Sequence, residues 1–183
     1  MQRELVDRAK RGDEEAFDAL ARQVGDRCMA IASWILRDAD LAEDAVQAAL
    51  VRAWRELRTL RDADRFEAWL HRILTNECYA EARRRTRWSA RIRLLPVADS
   101  VDAGGVLTVN DPDQLERAFR RLTLEQRSVL VFHHVVGLPL PELAGRLGIP
   151  LGTAKSRLRL ATSALRASLE ADDRTSTTEE RFA

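Results

Sequence analysis

The sequence predicts an all-α protein: two small helical domains, a four-helix N-terminal one and a C-terminal helix-turn-helix one, joined by a linker. Three observations carry this expectation. Apolar residues recur at intervals of 3 and 4 in successive stretches, the period of helices with one buried face. Between the stretches stand start and stop signals: Gly12 with Asp13, Thr123 with Gln126, then Gly137, and Gly148 with Pro150. From Thr86 to Pro112 the stripe lapses, and the run LLPVADSVDAGGVLTVNDPD brings in proline, glycine and turn residues. The expected divisions are 1–90, a linker over 91–112, a second domain over 113–170, and an acidic, polar, disordered tail over 171–183.

A first helix is expected from about Glu4 to Arg11, stopped by Gly12. Asp13 is a good N-cap for the second, with Glu14 and Glu15 in the favourable first turn. That helix carries Phe17, Leu20, Val24, Cys28, Ile31 and Ile35 as a core stripe and ends around Arg37–Asp40. A third is expected from near Leu41 to about Leu57, with Val46, Leu50, Ala53 and Leu57 inward and Trp54 at the edge. Its outer face mixes Asp44, Gln47, Ala48, Val51 and Arg55. Such a face could dock a partner, but read from pattern alone it is ordinary surface variation.

The polar run TLRDADR, Thr59 to Arg65, interrupts the helices. A fourth helix follows from near Phe66 to about Arg85, with Phe66, Trp69, Leu70 and Ile73 as its core edge. Arg72, Asn76, Tyr79 and Arg83 fall at i, i+4, i+7 and i+11, one polar stripe beside that edge. These are groups that hydrogen-bond to and stack on unpaired bases, although a solvated face with a half-buried tyrosine would look the same. The following run RRRTRWSARIR, Arg83 to Arg93, has six arginines, no acid and Trp88, an electrostatic footprint for nucleic acid.

In the second domain Leu115, Phe119 and Leu122 give a short helix. Thr123-Leu124-Glu125-Gln126 reads as a capping box for the next, which carries Val129, Leu130, Phe132, His133 and Val136 and closes at Gly137. Two further helices with a tight turn follow. The first runs from Pro141, suited to a first helical position, to Leu147, with Gly148 as C-cap and Pro150 blocking continuation. The second starts near Gly152 or Thr153 and turns Ala154, Leu158, Ala161, Leu165 and Leu169 inward. Ser156, Arg159 and Ser163 face the other way, flanked by Lys155 and Arg166 on one side and Arg157 on the other. Four basic residues and no acid between Leu151 and Leu169 match a helix-turn-helix whose second helix enters the major groove. A basic face on an ordinary helical hairpin is the plainer alternative.

Composition excludes more than it selects. The net charge is only +1, yet Lys10 and Lys155 are the sole lysines, so arginine supplies nearly all positive charge. Arginine favours bidentate contacts to phosphate and guanine, although richness in arginine can equally reflect codon bias. Cys28 and Cys78 sit in helical patterns and suggest no disulfide framework. His71, His133 and His134 lack partners at metal-ligand spacing, so neither metal nor cofactor is expected. There is no catalytic Ser/His/Asp set and no phosphate loop, and hence no expected enzyme activity or small-molecule substrate. The charged start of the chain predicts no signal peptide, and no apolar run approaches a membrane span, which makes the cytoplasm the expected compartment.

Three stretches together resemble the sigma factors of bacterial RNA polymerase, of the small extracytoplasmic-function type. AEDAVQAALVRAW, Ala42 to Trp54, is similar to the family's polymerase-clamp-binding segment. LRDADRFEAWLHRILTNECYAEARRR, Leu60 to Arg85, is similar to its −10 reading and melting segment. LTLEQRSVLVFHHVVGLPLPELAGRLGIPLGTAKSRL, Leu122 to Leu158, is similar to its −35 reading module. The resemblance implies core RNA polymerase and promoter DNA as partners, and an anti-sigma factor as regulator. It implies that Asp44, Gln47 and Val51 dock on the clamp. It implies a pocket for a flipped base in the loop of Leu60, Arg61, Asp62 and Arg65. Arg72, Asn76 and Tyr79 would meet −10 bases, and Arg83, Arg84 and Arg85 nearby phosphates. Thr153, Lys155, Ser156 and Arg157 would meet the −35 duplex, with Arg159 on its backbone.

The chain departs from the family pattern at three places. Ala48 stands where an acid is usual, LTLEQ replaces the more usual LP opening, and Pro139 stands where a Ser or Thr commonly caps the first helix of the −35 motif.

Two other readings compete. A stand-alone helix-turn-helix regulator would use the N-terminal half as an effector or dimerisation domain, and such a domain has no need of the Arg72–Asn76–Tyr79–Arg83 stripe. A helical enzyme acting on nucleic acid needs carboxylates converging on a basic groove. Glu77 and Glu81 instead lie toward the core side of the stripe or its flank.

Overall fold

In the computed structural model, backbone is described for residues 2–92 and 112–179, and side chains for 2–85 and 114–170. All regular structure among the described residues is helical. The chain divides into two compact units, one formed by residues 1–88 with 146–148 and the other by the remaining residues. The expected linker, 91–112, falls almost wholly outside the described residues.

The first unit holds α1 (Gln2–Lys10), α2 (Glu14–Leu36), α3 (Ala39–Glu56) and α4 (Phe66–Ile92). Asp13 caps α2 by accepting from the Ala16 N–H at 2.9 Å. Gly12 makes the preceding turn at φ +96°, a left-handed conformation that costs glycine little. Arg37 closes α2 at φ 56°, and Asp38 starts α3 by accepting from the Leu41 N–H at 3.1 Å. The third helix therefore begins at Ala39, two residues before the expected Leu41, because its cap is Asp38. The core brings Leu20, Val24, Cys28, Ile31 and Ile35 of the expected α2 stripe against Ala42, Ala45, Val46, Ala49 and Ala53 of α3; of the expected inward residues Phe17 and Leu50 are only half-buried, and the inner face of α3 is mostly alanine instead. Alanine on α3 lets the two backbones approach closely. Phe66, Leu70, Ile73, Leu74 and Cys78 of α4 and Val6 and Ala9 of α1 complete it. Burial raises the thiol of Cys28 to about 11 and that of Cys78 to about 12, so both are inert core groups rather than nucleophiles.

Two short 3₁₀ turns, Leu57–Thr59 and Ala63–Arg65, join α3 to α4 in place of the expected open loop. Helix α4 runs to Ile92, past the expected end at Arg85. No glycine or proline stands in RRRTRWSARI, so propagation of a nucleated helix meets no breaker.

The second unit holds α5 (Pro112–Arg120), α6 (Leu124–Leu130), α7 (Leu140–Leu147) and α8 (Leu151–Glu179). The Thr123–Gln126 capping box forms reciprocally: Gln126 N–H donates to Thr123 Oγ1 at 3.3 Å, and Thr123 N–H to Gln126 Oε1 at 2.9 Å. Beyond Leu130 the helix widens into a π turn, Val131–Val135, which spacing does not reveal. The turn still buries Val131 and Phe132, and His133 Nδ1 lies 2.8 Å from the Leu138 carbonyl. The histidine is thus a packing group, as expected.

The entry to α7 survives Pro139, whose carbonyl accepts the Leu143 N–H at 3.0 Å. Helix α7 begins at Leu140, so Pro141 is its second residue rather than its first, still within the turn where no N–H is needed. Gly148 turns the chain at φ +66°. Helix α8 begins at Leu151, with the Pro150 carbonyl accepting from Ala154 N–H at 3.0 Å. Ala154, Ala161 and Leu169 are buried and Leu158 and Leu165 half-buried, the predicted inward face. The helix continues to Glu179, into the segment expected as a disordered tail. Beyond Gly152 in its first turn no glycine or proline interrupts it; residues 180–183 lie outside the described residues.

Candidate nucleic-acid interface

Helix α4 sets its polar stripe by its period. Its apolar residues face the core, and on the flank beside them Arg72, Asn76 and Arg83 are exposed, with Tyr79 half-buried. The stripe predicted from spacing is thus displayed as a continuous row. Trp88 and the arginines after Arg85 have side chains outside the described residues.

The arginine cluster at the end of that row divides. Arg83 is exposed, with no ion pair among the described residues. Arg84 pairs with Glu81, whose side chain is almost fully buried. Arg85 pairs with Oδ2 of Asp38, whose Oδ1 caps α3. Two of the three arginines expected to hold phosphates are therefore held by carboxylates, because the tertiary fold brings acids to them from the same helix and from α3. The Asp38 carboxyl is held below the ordinary 3.8, chiefly by the Leu41 N–H and further by Arg85, against the opposing effect of burial.

In the loop before α4, Arg61, Asp62 and Arg65 are exposed. Asp62 accepts from Asp64 N–H at 3.0 Å and lies 3.6 Å from Arg65. Leu60 differs from its neighbours: its side chain is buried, so it is part of the floor and not of the exposed loop surface. A leucine following a core-facing Leu57 by three residues carried that signal.

On α3, Asp44, Gln47 and Val51 are all exposed. Val51 borders an open groove of about 390 Å³ with Phe17, Leu50 and Trp54. The Phe17 and Trp54 rings lie 4.9 Å apart at its base. Glu14 and Asp18 of α2 and Arg55 of α3 also line this groove, so exposed Val51 and half-buried Phe17, Leu50 and Trp54 sit among charges of both signs.

In the second unit Lys155, Ser156 and Arg159 are exposed at the start of α8, and Thr153 and Arg157 half-buried. Ser156 Oγ donates to the Thr153 carbonyl at 3.0 Å, which orients the serine hydroxyl within the first turns of the helix. The five residues share one helical end directly after the Gly148 turn, the arrangement of a recognition helix.

Among the described residues no group of three His, Cys, Asp or Glu side chains could hold a metal ion. Glu77 is bonded to Arg52 at 3.0 Å and Glu81 to Arg84, so neither stands as an open ligand. Nor is any described helix long and apolar enough to cross a membrane.

A helical module with a base-type polar stripe, followed by a helix-turn-helix module, defines a two-module DNA-binding transcription protein. Comparison with known proteins narrows this. Residues 20–88 match Sigma-70 region 2, and residues 113–165 match Sigma-70, region 4. The chain belongs to the extracytoplasmic-function sigma factors of the sigma-70 family. It is 33% identical over 156 residues to the ECF RNA polymerase sigma factor SigM of Mycobacterium tuberculosis, covering 84% of this chain and 77% of that protein. It is 28% identical over 174 residues to the ECF RNA polymerase sigma-E factor of Escherichia coli, covering 88% and 90%.

Among solved structures, CnrH in complex with the cytosolic domain of CnrY is similar at TM-score 0.65 and 30% identity, covering 93% of this chain and 98% of that one. The sigma factor RpoE in complex with the anti-sigma factor NepR, from Bartonella quintana, is similar at TM-score 0.69 and 26% identity, covering 85% and 98%.

Proposed function

We propose that this protein binds bacterial core RNA polymerase and directs it to promoters, reading a −35 duplex with α8 and melted −10 bases with α4. The observation that carries this reading is the pairing of two different surfaces on two matched modules. The α4 stripe of Arg72, Asn76, Tyr79 and Arg83 suits unstacked bases, and the start of α8 suits a duplex groove. Arg83 holds the phosphates nearest the stripe, and Arg84 and Arg85 serve there once released from their carboxylates. Arg61, Asp62 and Arg65 display the groups for an extruded base, with Leu60 beneath them. Thr153, Lys155, Ser156 and Arg157 meet the −35 element and Arg159 its backbone. Asp44, Gln47 and Val51 dock on the polymerase.

The energetics fit a division of labour. Extruding a base costs a few kcal/mol, and stacking and hydrogen bonding in a pocket offset it. The protein itself is not an enzyme on this reading; the polymerase supplies the chemistry. It acts in the cytoplasm, where polymerase and promoters are. An anti-sigma factor is its regulator, a reading supported by the similar RpoE structure, solved with the anti-sigma factor NepR.

In vitro transcription with core polymerase on a pool of genomic promoter fragments tests this. Discrete start sites that need both components are expected. Retardation of specific duplexes by the protein alone, with no new starts, would instead establish a stand-alone regulator.

A further inference from the structure

Helix α1 lies outside the stretch matched to Sigma-70 region 2, which begins at residue 20. Yet its side chains reach the connection between α3 and α4. Lys10 Nζ donates to the Leu60 carbonyl at 2.7 Å, a part-buried bond between residues 50 apart in sequence. Arg3 Nη1 donates to Asp64 Oδ2 at 3.0 Å. Gln2 Nε2 donates to Glu67 Oε1 at 3.3 Å, in the first turn of α4. Leu60 is therefore held twice, by its buried side chain and by its carbonyl, and the exposed Arg61 and Asp62 follow at once.

We propose that Lys10 is a positioning residue for base capture: its ammonium fixes the Leu60 carbonyl and thereby sets the place from which Arg61, Asp62 and Arg65 meet an extruded base. This rests on the base-binding reading of that loop. The physical argument is preorganisation. An ionised donor makes a stronger bond to a carbonyl than a neutral one. A loop ordered before its ligand arrives loses less entropy on binding. The loop's own bonds, Asp62 to the Asp64 N–H and the Arg65 N–H to the Asp62 carbonyl at 3.1 Å, shape it internally but do not tie it to the body of the unit. Two bonds from α1 supply that tie, the exposed Arg3–Asp64 pair within the loop and the part-buried Lys10–Leu60 bond at the residue where the loop leaves the core; the latter is the better shielded from water.

The test uses the full chain and three variants. Lys10→Met keeps the aliphatic stem and removes the donor; Lys10→Arg keeps a cation of similar reach; Arg61→Ala alters the displayed loop surface without touching the tie. Amide hydrogen exchange at Asp64 and Arg65, the hydrogen-bonded amides of the loop, is measured in the free protein. Promoter opening is measured by permanganate reactivity of thymines, using holoenzyme on the fragments that yield start sites in the transcription assay. Lys10→Met is expected to speed exchange of those amides about tenfold, the loss of one charge-assisted bond, and to slow opening by a similar factor while core affinity holds. Lys10→Arg is expected to recover both. The proposal is overturned if Lys10→Met leaves exchange at the wild-type rate, or if Arg61→Ala slows opening and Lys10→Met does not. If neither Arg61→Ala nor Lys10→Met affects opening while exchange still speeds up, the base-binding reading of the loop fails and takes the proposal with it.

Discussion

Asp38 shows how much one carboxylate can decide. Its Oδ1 caps α3 and its Oδ2 holds Arg85, and asparagine separates the two roles because it caps about as well as aspartate. Asp38→Ala should cost about 1 kcal/mol by denaturant unfolding at neutral pH, whereas Asp38→Asn should stay within a few tenths. Since the folded carboxyl titrates below the ordinary 3.8, its contribution is present above that value and is lost as pH falls through the folded one. Both variants should therefore show a shallower loss of stability than wild type below pH 3.8. Freed from Asp38, Arg85 should add one phosphate contact, steepening the salt dependence of DNA binding by about 0.7–0.9 in the log–log slope. Asn76 belongs to the same scale. It is exposed in mid-stripe, so Asn76→Ala should leave the fold and core affinity intact and slow promoter opening about tenfold, as expected for one lost base contact. Equal loss of core affinity and opening would remove Asn76 from this role.

At the scale of elements, the helix-turn-helix depends on a backbone conformation more than on a contact. Gly148 sits at φ +66°, and a Cβ there would meet nothing within 4 Å. Any penalty for Gly148→Ala is then backbone strain, about 1–2 kcal/mol, and Gly148→Asn should recover part of it. Unfolding curves of the two variants check this, and equal curves would mean that the turn relaxes. Helix α8 presents Lys155 and Arg159 at its exposed start. Replacing each by alanine should lower the salt slope for duplex binding by about 0.9 if each neutralises one phosphate. A sequence-dependent loss with an unchanged slope would assign that residue to a base edge instead.

The whole molecule is two cores in one chain. Each unit buries its own apolar set, Val6 to Cys78 in the first and Ala118 to Leu169 in the second. A fragment of residues 1–92 should accordingly unfold cooperatively by itself, and a non-cooperative melt would show that the first core is incomplete alone. At this scale the sequence was a good guide where information is local. Helical spacing located the core stripe of α2 from Leu20 to Ile35, but on α3 it named Leu50, which is half-buried, and passed over Ala42, Ala45 and Ala49, because alanine carries little apolar signal. Asp13, Thr123, Gly137 and Gly148 announced their caps and turns, because capping involves only neighbours three or four residues away. The Arg72–Asn76–Tyr79–Arg83 row was legible because one helix fixes the direction of all four. Spacing could not show the π turn at Val131–Val135, which adds a residue without breaking the apolar pattern. It also ended α4 and α8 too early, since charged, polar sequence continues a helix as readily as it leaves one. What only the tertiary structure decided are the pairings across distance. Arg85 meets Asp38 across 47 positions and Lys10 meets Leu60 across 50. Such partners are chosen by how whole helices pack, and no local rule ties an arginine or a lysine to a group half the domain away. The sequence by itself therefore determined which surfaces this protein presents, and the fold decided which of their charges stand free.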